Sequence, residues 1–391
     1  MPCRYHTVPI DPSDLSWTLN DDQQHLCDAL QRFARERLAP LLVNPATPDE
    51  WSHTVRLAAE LDLGGMILPA HDGEPGLSDF ELCLLTGIFA AGPLECAAEL
   101  TLSTPALTTL REHNALDRLP ARNIRDYFGG GDSISLTVPG ARAGTAFVLS
   151  RHGTAPMLLA STRSSDASLV LVEPDATAGI VLQRHRIATL GTLSLEQVSL
   201  DRHALAWCTP ISPASHQGGV GSAGTWLIKT GLYLSALLVG AMHASISFAF
   251  GYAGTRHAFR KPLAAHQLVA TRLADMLVAA EGARLLLWAV ARNENPVPAQ
   301  DAGAPISGTL CSRIAPVRQL MRHVAASATD ISRDLVQLCG GHGYVEGLPP
   351  ARRFQVTPFF TLLLSHAEAA LAQWTPPSGM DDRPRSNGAR A

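Results

Sequence analysis

Residues 230–254 read TGLYLSALLVGAMHASISFAFGYAG, 25 positions without one Asp, Glu, Lys or Arg. A helix of that length and composition has two stable environments. It crosses a bilayer, or it forms the buried centre of a helical domain. Ser235, His243, Ser245 and Ser247 interrupt the apolar surface, and no second segment of this kind exists in the sequence. The buried-centre reading follows, and it demands other helices to cover the segment on all sides. Charged residues make up 17% of the chain, below the usual share of about 25%, which fits a large interior.

The covering helices can be read from periodicity. Val269, Leu273, Met276, Ala280, Ala283, Leu287 and Val290 step by four and three residues, a narrow seam suited to packing on another long helix. A further helix is expected over about residues 308–339. Near the N-terminus, Asn20, Asp21 and Asp22 can cap DQQHLCDALQRFARERLAP, which Pro40 is expected to end. WSHTVRLAAELDLGG repeats the pattern and stops at Gly64 and Gly65, and LSDFELCLLTGIFAAG follows a Ser-Asp cap. The period then changes. SISLTVPG, AFVLS, APMLLAS, SLVLVEP and GIVLQRH are short apolar runs, read as the strands of one small sheet. The expected fold class is mainly α with a small central β domain. Its parts are an N-terminal helical domain (1–131), the β domain (132–210), a linker (211–225), a C-terminal helical bundle (226–375) and a disordered tail (376–391).

Several function classes drop out. A formal net charge of -4 leaves no electrostatic footprint for nucleic acid. Seven scattered Cys without a C-x-x-C pair predict neither a disulfide framework nor a metal site. The start, MPCRYHTVPIDPSD, lacks the apolar core of a signal peptide, so a reducing cytoplasm is expected. GVGSAG at 219–224 fits G-x-G-x-x-G, but two prolines stand where a strand should precede it and the next acid is Asp275. It reads as a hinge.

Two stretches carry chemistry. RHAFRKPLAAHQ (256–267) places Arg256, Phe259, Arg260 and Lys261 at the mouth of a long helix. A guanidinium fork suits a pyrophosphate, and the Phe offers an apolar face to a ring. QLCGGHGY (337–344) puts paired glycines after a long helix, where a phosphate or another backbone can come close.

Together, these stretches and the helix–sheet–helix order resemble the acyl-CoA dehydrogenase family. RHAFRKPLAAHQ is similar to its R-x-x-F-G-K-P-[LI]-x-x-x-Q segment, QLCGGHGY to its Q-x-x-G-G-x-G-[YF] segment, and LTVPGA (136–141) to its T-E-P-G-A. The resemblance implies a bundle of four helices, FAD as cofactor, and a dimer or tetramer. It implies that Arg256 meets the FAD pyrophosphate of a neighbouring subunit, that Phe259 packs by the cofactor, and that Gln267 hydrogen-bonds to it. Gln337, Gly340 and Gly341 would line the adenosine side, and Thr137 would sit near the flavin ring.

The family removes an α proton and a β hydride from an acyl thioester, carried on coenzyme A or an acyl carrier protein, and a Glu takes the proton. At the two positions the family uses for that Glu, this chain has Leu364 and Thr230. From Arg202 to Ala274 there is no carboxylate at all. Glu368 and His366 are the substitutes within reach. Val138 replaces the acid of T-E-P, Arg260 replaces the Gly after Phe259, and Gln355-Val356 stand where an Arg-Asp pair is expected. Two alternatives follow: a non-catalytic subunit that completes the FAD site of a related chain, and a flavin monooxygenase on the same fold.

Overall fold

The computed structural model describes residues 21–63, 67, 76–119, 127, 133–151, 155–162, 167–173, 177–211, 222–292, 306–345 and 347–373. Asn20, Gly64, Gly65, most of the expected linker and the tail lie outside them.

Helix α1 (Asp21–Phe33) does not stop at Pro40. It runs on through a π-helical turn (Ala34–Leu38) and a 3-10 turn (Ala39–Leu42). Pro40 sits in the first positions of that last turn, where its missing N–H leaves nothing unpaired. Helices α2 (Pro48–Ala59) and α3 (Asp79–Phe89) each open on a reciprocal cap, Thr47 with Glu50 and Ser78 with Glu81. Two further helices, α4 (Leu94–Thr101) and α5 (Thr104–Glu112), were not anticipated. Their threonines hide the pattern: Thr101, Thr108 and Thr109 donate to carbonyls one turn back and are fully buried.

Among the described residues the β region has six strands: β1 (Leu136–Pro139), β2 (Thr145–Ser150), β3 (Met157–Thr162), β4 (Ala167–Val172), β5 (Val181–Leu190) and β6 (Leu193–Leu200). They form an antiparallel sheet in the order β1-β2-β6-β5 and a separate β3-β4 hairpin, where one sheet was expected. The sixth strand, LSLEQVSL, escaped the sequence reading because Glu196 interrupts its apolar run. Glu196 pairs with Arg184 on β5 at 3.0 Å.

Four long helices follow among the described residues: α6 (Ser222–Thr255), α7 (Gln267–Arg292), α8 (Ile306–Cys339) and α9 (Pro349–Ala372). Helix α6 starts inside the expected linker because the Ser222 hydroxyl accepts from the Leu169 N–H of β4 at 3.0 Å, anchoring the first turn. It is the one helix among the described residues long and apolar enough to cross a membrane, yet 78% of its most apolar window is buried within the protein. Helices α3, α4, α5, α7, α8 and α9 and strand β4 all pack on it. The seam of α7 faces inward: Leu273, Met276, Ala280, Ala283 and Leu287 are buried, and Val269 and Val290 partly so.

Where α6 meets the N-terminal helices, the burial of charge is matched by partners. Lys229 reaches Asp79 at 2.6 Å and also pairs with Glu112, and Arg313 of α8 reaches the other oxygen of Asp79 at 2.9 Å. Burial alone would raise the Asp79 pKa, but Lys229 and Arg313 together outweigh it and hold the carboxyl below its usual value. A carboxyl depressed in the folded state adds stability above its unfolded pKa, and that stability is lost as pH falls through the folded value. Asp79→Asn is therefore expected to cost about 3 kcal/mol at neutral pH, because it takes the carboxylate from Arg313 and leaves Lys229 with Glu112 alone. It should also flatten the loss of stability below about pH 5, read by urea denaturation across pH.

Candidate functional site

At the end of α6 the chain makes a tight hairpin. His257 pairs with Pro262 and Ala258 with Lys261, which leaves Phe259 and Arg260 as the two central residues. Their φ angles are +51 and +67, as the tightest hairpin turn requires. Neither side chain suits that region, so the turn is strained. It holds Phe259 outward, 92% exposed, with its ring edge-on to His266 at 6.1 Å. Arg256 is tied down by its backbone, donating to Tyr252 and accepting from Leu263. Its exposed guanidinium has no partner among the described residues. Gln267 opens α7 and is exposed as well.

The glycine stretch ends α8 beside this turn. Gly340 has φ +57, the left-handed conformation that stops a helix. A Cβ on Gly340 or Gly341 would meet nothing within 4 Å, so both present open backbone, and Gln337 is exposed one turn earlier. Gly343 differs: its Cβ would lie 2.4 Å from the Val336 carbonyl, so its role is packing. Tyr252 joins the two stretches, with its hydroxyl 2.9 Å from His342 Nδ1 and donating to the Cys339 carbonyl at 3.3 Å. Arg256, Phe259, Gln267, Gln337, Gly340 and Gly341 thus share one end of the bundle.

A cleft of about 750 Å³ opens elsewhere, between the β1–β2 turn and helices α8 and α9. Pro139, Gly140 and Ala141 form one wall, and Ala325, Ala326 and Thr329 of α8 another. The third is a stripe along α9: Pro358, Thr361, Ser365, His366, Ala369 and Gln373. The small residues keep the space open, and the polar ones edge it. From Thr329 to Cys339, ten residues of α8 separate the cleft from the bundle end, about 15 Å along the helix axis.

The site residues expected from sequence divide. Thr137 is buried on β1, and its hydroxyl donates to the Leu158 carbonyl of β3. Its side chain ties the two sheets together, and the residue stands two positions ahead of the cleft wall at Pro139. Leu364 and Thr230 are both sealed in the core at 0% exposure. Helix α9 runs unbroken past Leu364, so no loop brings that position to a surface. Glu368 does not line the cleft. Arg318 at 2.9 Å and Arg322 at 2.8 Å hold it as their counter-ion. His366 does line it, with its ring 4.5 Å from Phe147 of β2. Burial lowers the His366 pKa, so its imidazole is neutral at neutral pH.

The arginines near the expected Arg-Asp pair are structural. Arg352 pairs with Glu95 at 2.6 Å, and Arg353 donates to the carbonyls of Ala241 and Ala91 at 3.0 and 2.9 Å. The sequence reading missed Thr329, Thr361, Ser365 and Gln373. A signal existed on α9: small and polar residues recur there at helical spacing, from Pro358 to Gln373.

The donor set suits one kind of ligand. The bundle end offers an unpaired guanidinium, amides and open glycine backbone, fitted to phosphate oxygens. The cleft, walled by Pro and Ala and edged by hydroxyls, has room for a ring system.

A family model described as acyl-CoA dehydrogenase, C-terminal domain, matches residues 219–363. The chain is similar to the mitochondrial 2-methylacyl-CoA dehydrogenase of Solanum tuberosum, 21% identical over 386 residues, covering 90% of this chain and 89% of the relative. Among solved structures it is similar to the FAD complex of PigA, with TM-score 0.69 and 15% identity over 92% of this chain and 100% of that one. It is likewise similar to the prolyl acyl carrier protein oxidase AnaB, with TM-score 0.66 and 15% identity over 91% of this chain and 99% of that one.

The turn at Phe259 and Arg260 yields a test. Arg260→Gly relieves one left-handed side chain and is expected to raise stability by about 1 kcal/mol, seen as a higher Tm. A lower Tm would contradict the strained-turn geometry.

Proposed function

The chain belongs to the acyl-CoA dehydrogenase family, and from that premise we propose that it is an FAD-binding flavoprotein acting on an acyl thioester, carried on coenzyme A or on an acyl carrier protein. One observation carries the reading: the chain has both an open cleft edged by hydroxyls and a phosphate-suited bundle end, on the middle and the end of the same helix α8. In this reading the β1–β2 turn and the α8 wall hold the flavin ring, and the α9 stripe faces the acyl thioester. Arg256 neutralises the pyrophosphate, Phe259 covers the cofactor, and Gln267, Gln337, Gly340 and Gly341 meet the nucleotide end. Bound flavin supplies a two-electron acceptor. A homo-oligomer brings the bundle end of one subunit to the cleft of the next. The similarity to AnaB, described as an acyl carrier protein oxidase, favours a carrier-bound substrate as much as coenzyme A.

A second reading has its own support. Leu364 and Thr230 seal both positions where the family keeps its carboxylate. A chain built this way suits a non-catalytic subunit that lends its bundle end to the FAD of a related, Glu-bearing partner.

The test is the visible spectrum of the protein expressed alone, after gel filtration. A flavin band co-eluting with an oligomer is expected. Arg256→Ala should weaken FAD binding about 10- to 100-fold, because a charge-assisted contact to phosphate is lost. A protein that stays colourless with added FAD contradicts the first reading. Colour that appears only on co-expression with a Glu-bearing relative supports the second.

A further inference from the structure

We propose that His366 is the proton acceptor of the cleft, taking the α proton of the acyl thioester in the absence of a carboxylate. This deepens the flavoprotein reading above and rests on it. Three observations point to this one residue. Among the described residues lining the cleft, His366 is the only side chain able to take a proton near neutral pH; the others are Pro, Gly, Ala, Leu, Ser, Thr and Gln. The competing groups are engaged elsewhere: Leu364 and Thr230 lie in the core, and Glu368 is bound by Arg318 and Arg322. Neither ring nitrogen of His366 has a hydrogen-bond partner among the described residues.

Packing positions the ring. Helix α9 sets its direction, and Phe147 flanks one side at 4.5 Å. The groups around it leave the imidazole neutral. Phe147 is apolar, and the turn lining is uncharged except for the exposed Arg142 that follows it. On α9 and α8, the charges of Glu368, Arg318 and Arg322 are joined to one another. Burial is the cause of the lowered pKa. A neutral imidazole has a free lone pair, which is what a general base needs.

The step balances. The α C–H bond breaks and its proton moves to an imidazole nitrogen of His366. The electron pair left behind becomes the new bond between the α and β carbons. The β hydrogen leaves with its pair to bound oxidised flavin, which is reduced. The imidazolium then returns its proton to solvent through the open cleft.

The experiment uses the flavin-loaded oligomer with two probes, butyryl-CoA and a prolyl thioester on a carrier protein. Anaerobic flavin reduction is followed by stopped flow. A second assay reads deuterium entering the α position from heavy water, with the flavin already reduced so that no net turnover occurs. His366→Gln and His366→Asn should keep their flavin, lose about 10²- to 10⁴-fold in reduction rate, and lose deuterium wash-in to the same degree. The wild-type rate should rise with pH through the histidine pKa, and the variants should lack that limb. Glu368→Gln should keep the limb. A His366→Gln protein that reduces flavin within threefold of wild type, on the same pH profile, overturns His366 alone. A flavin-loaded wild type that neither reduces flavin nor exchanges deuterium with either probe overturns the thioester reading together with it.

Discussion

The fold depends on covering one uncharged helix. Helix α6 offers 34 residues of largely apolar surface, and six helices and a strand close over it. That burial is the main driving force available to the C-terminal half, because a helix apolar on all sides has no stable exposed face. The few polar contacts to α6 then fix how the layers dock. Lys229 and Arg313 meet on Asp79 at the N-terminal helices. Arg353 joins α9 to the backbone of α6 at Ala241 and to Ala91 beyond α3. Ser222 ties the first turn of α6 to β4.

The two halves of the candidate site are consequences of this packing. Helix α8 lies along α6 and α9, so its middle walls the cleft while its end carries the glycines. The end of α6 delivers the strained turn to the same end of the bundle, and Tyr252 clamps the two stretches together. The cationic cluster in RHAFRKPLAAHQ is thus more than a helix entrance. Among the described residues its guanidinium has no partner, and its Phe is held out, exposed.

Long helices with strict spacing were legible in the sequence. The α7 seam and the uncharged α6 run read directly, because burial there is apolar and periodic. Where polar side chains satisfy one another, the pattern vanished. Helices α4 and α5 hide behind threonines bonded to their own carbonyls, and β6 behind a paired Glu196. The bundle-end residues were legible because their motifs are local. The cleft was not, since three elements distant in sequence build it. Thr137 illustrates the limit: its motif was visible, but its hydroxyl is engaged by β3. Glu368 and His366 stand two residues apart on α9, and only packing separates a counter-ion from a cleft residue.

The central claim is that one site is shared between two chains, the cleft of one and the bundle end of the next. Co-refolding two inactive variants tests it most directly. Arg256→Ala disables the bundle end, and Ala369→Trp fills the cleft. With FAD held below the weakened Kd, each alone should lack flavin. In a two-fold dimer, random mixing should restore about a quarter of the wild-type flavin sites, because each mixed dimer rebuilds one intact pairing. A mixed pool as colourless as its parents would show that cleft and bundle end serve within a single chain, and would contradict the account.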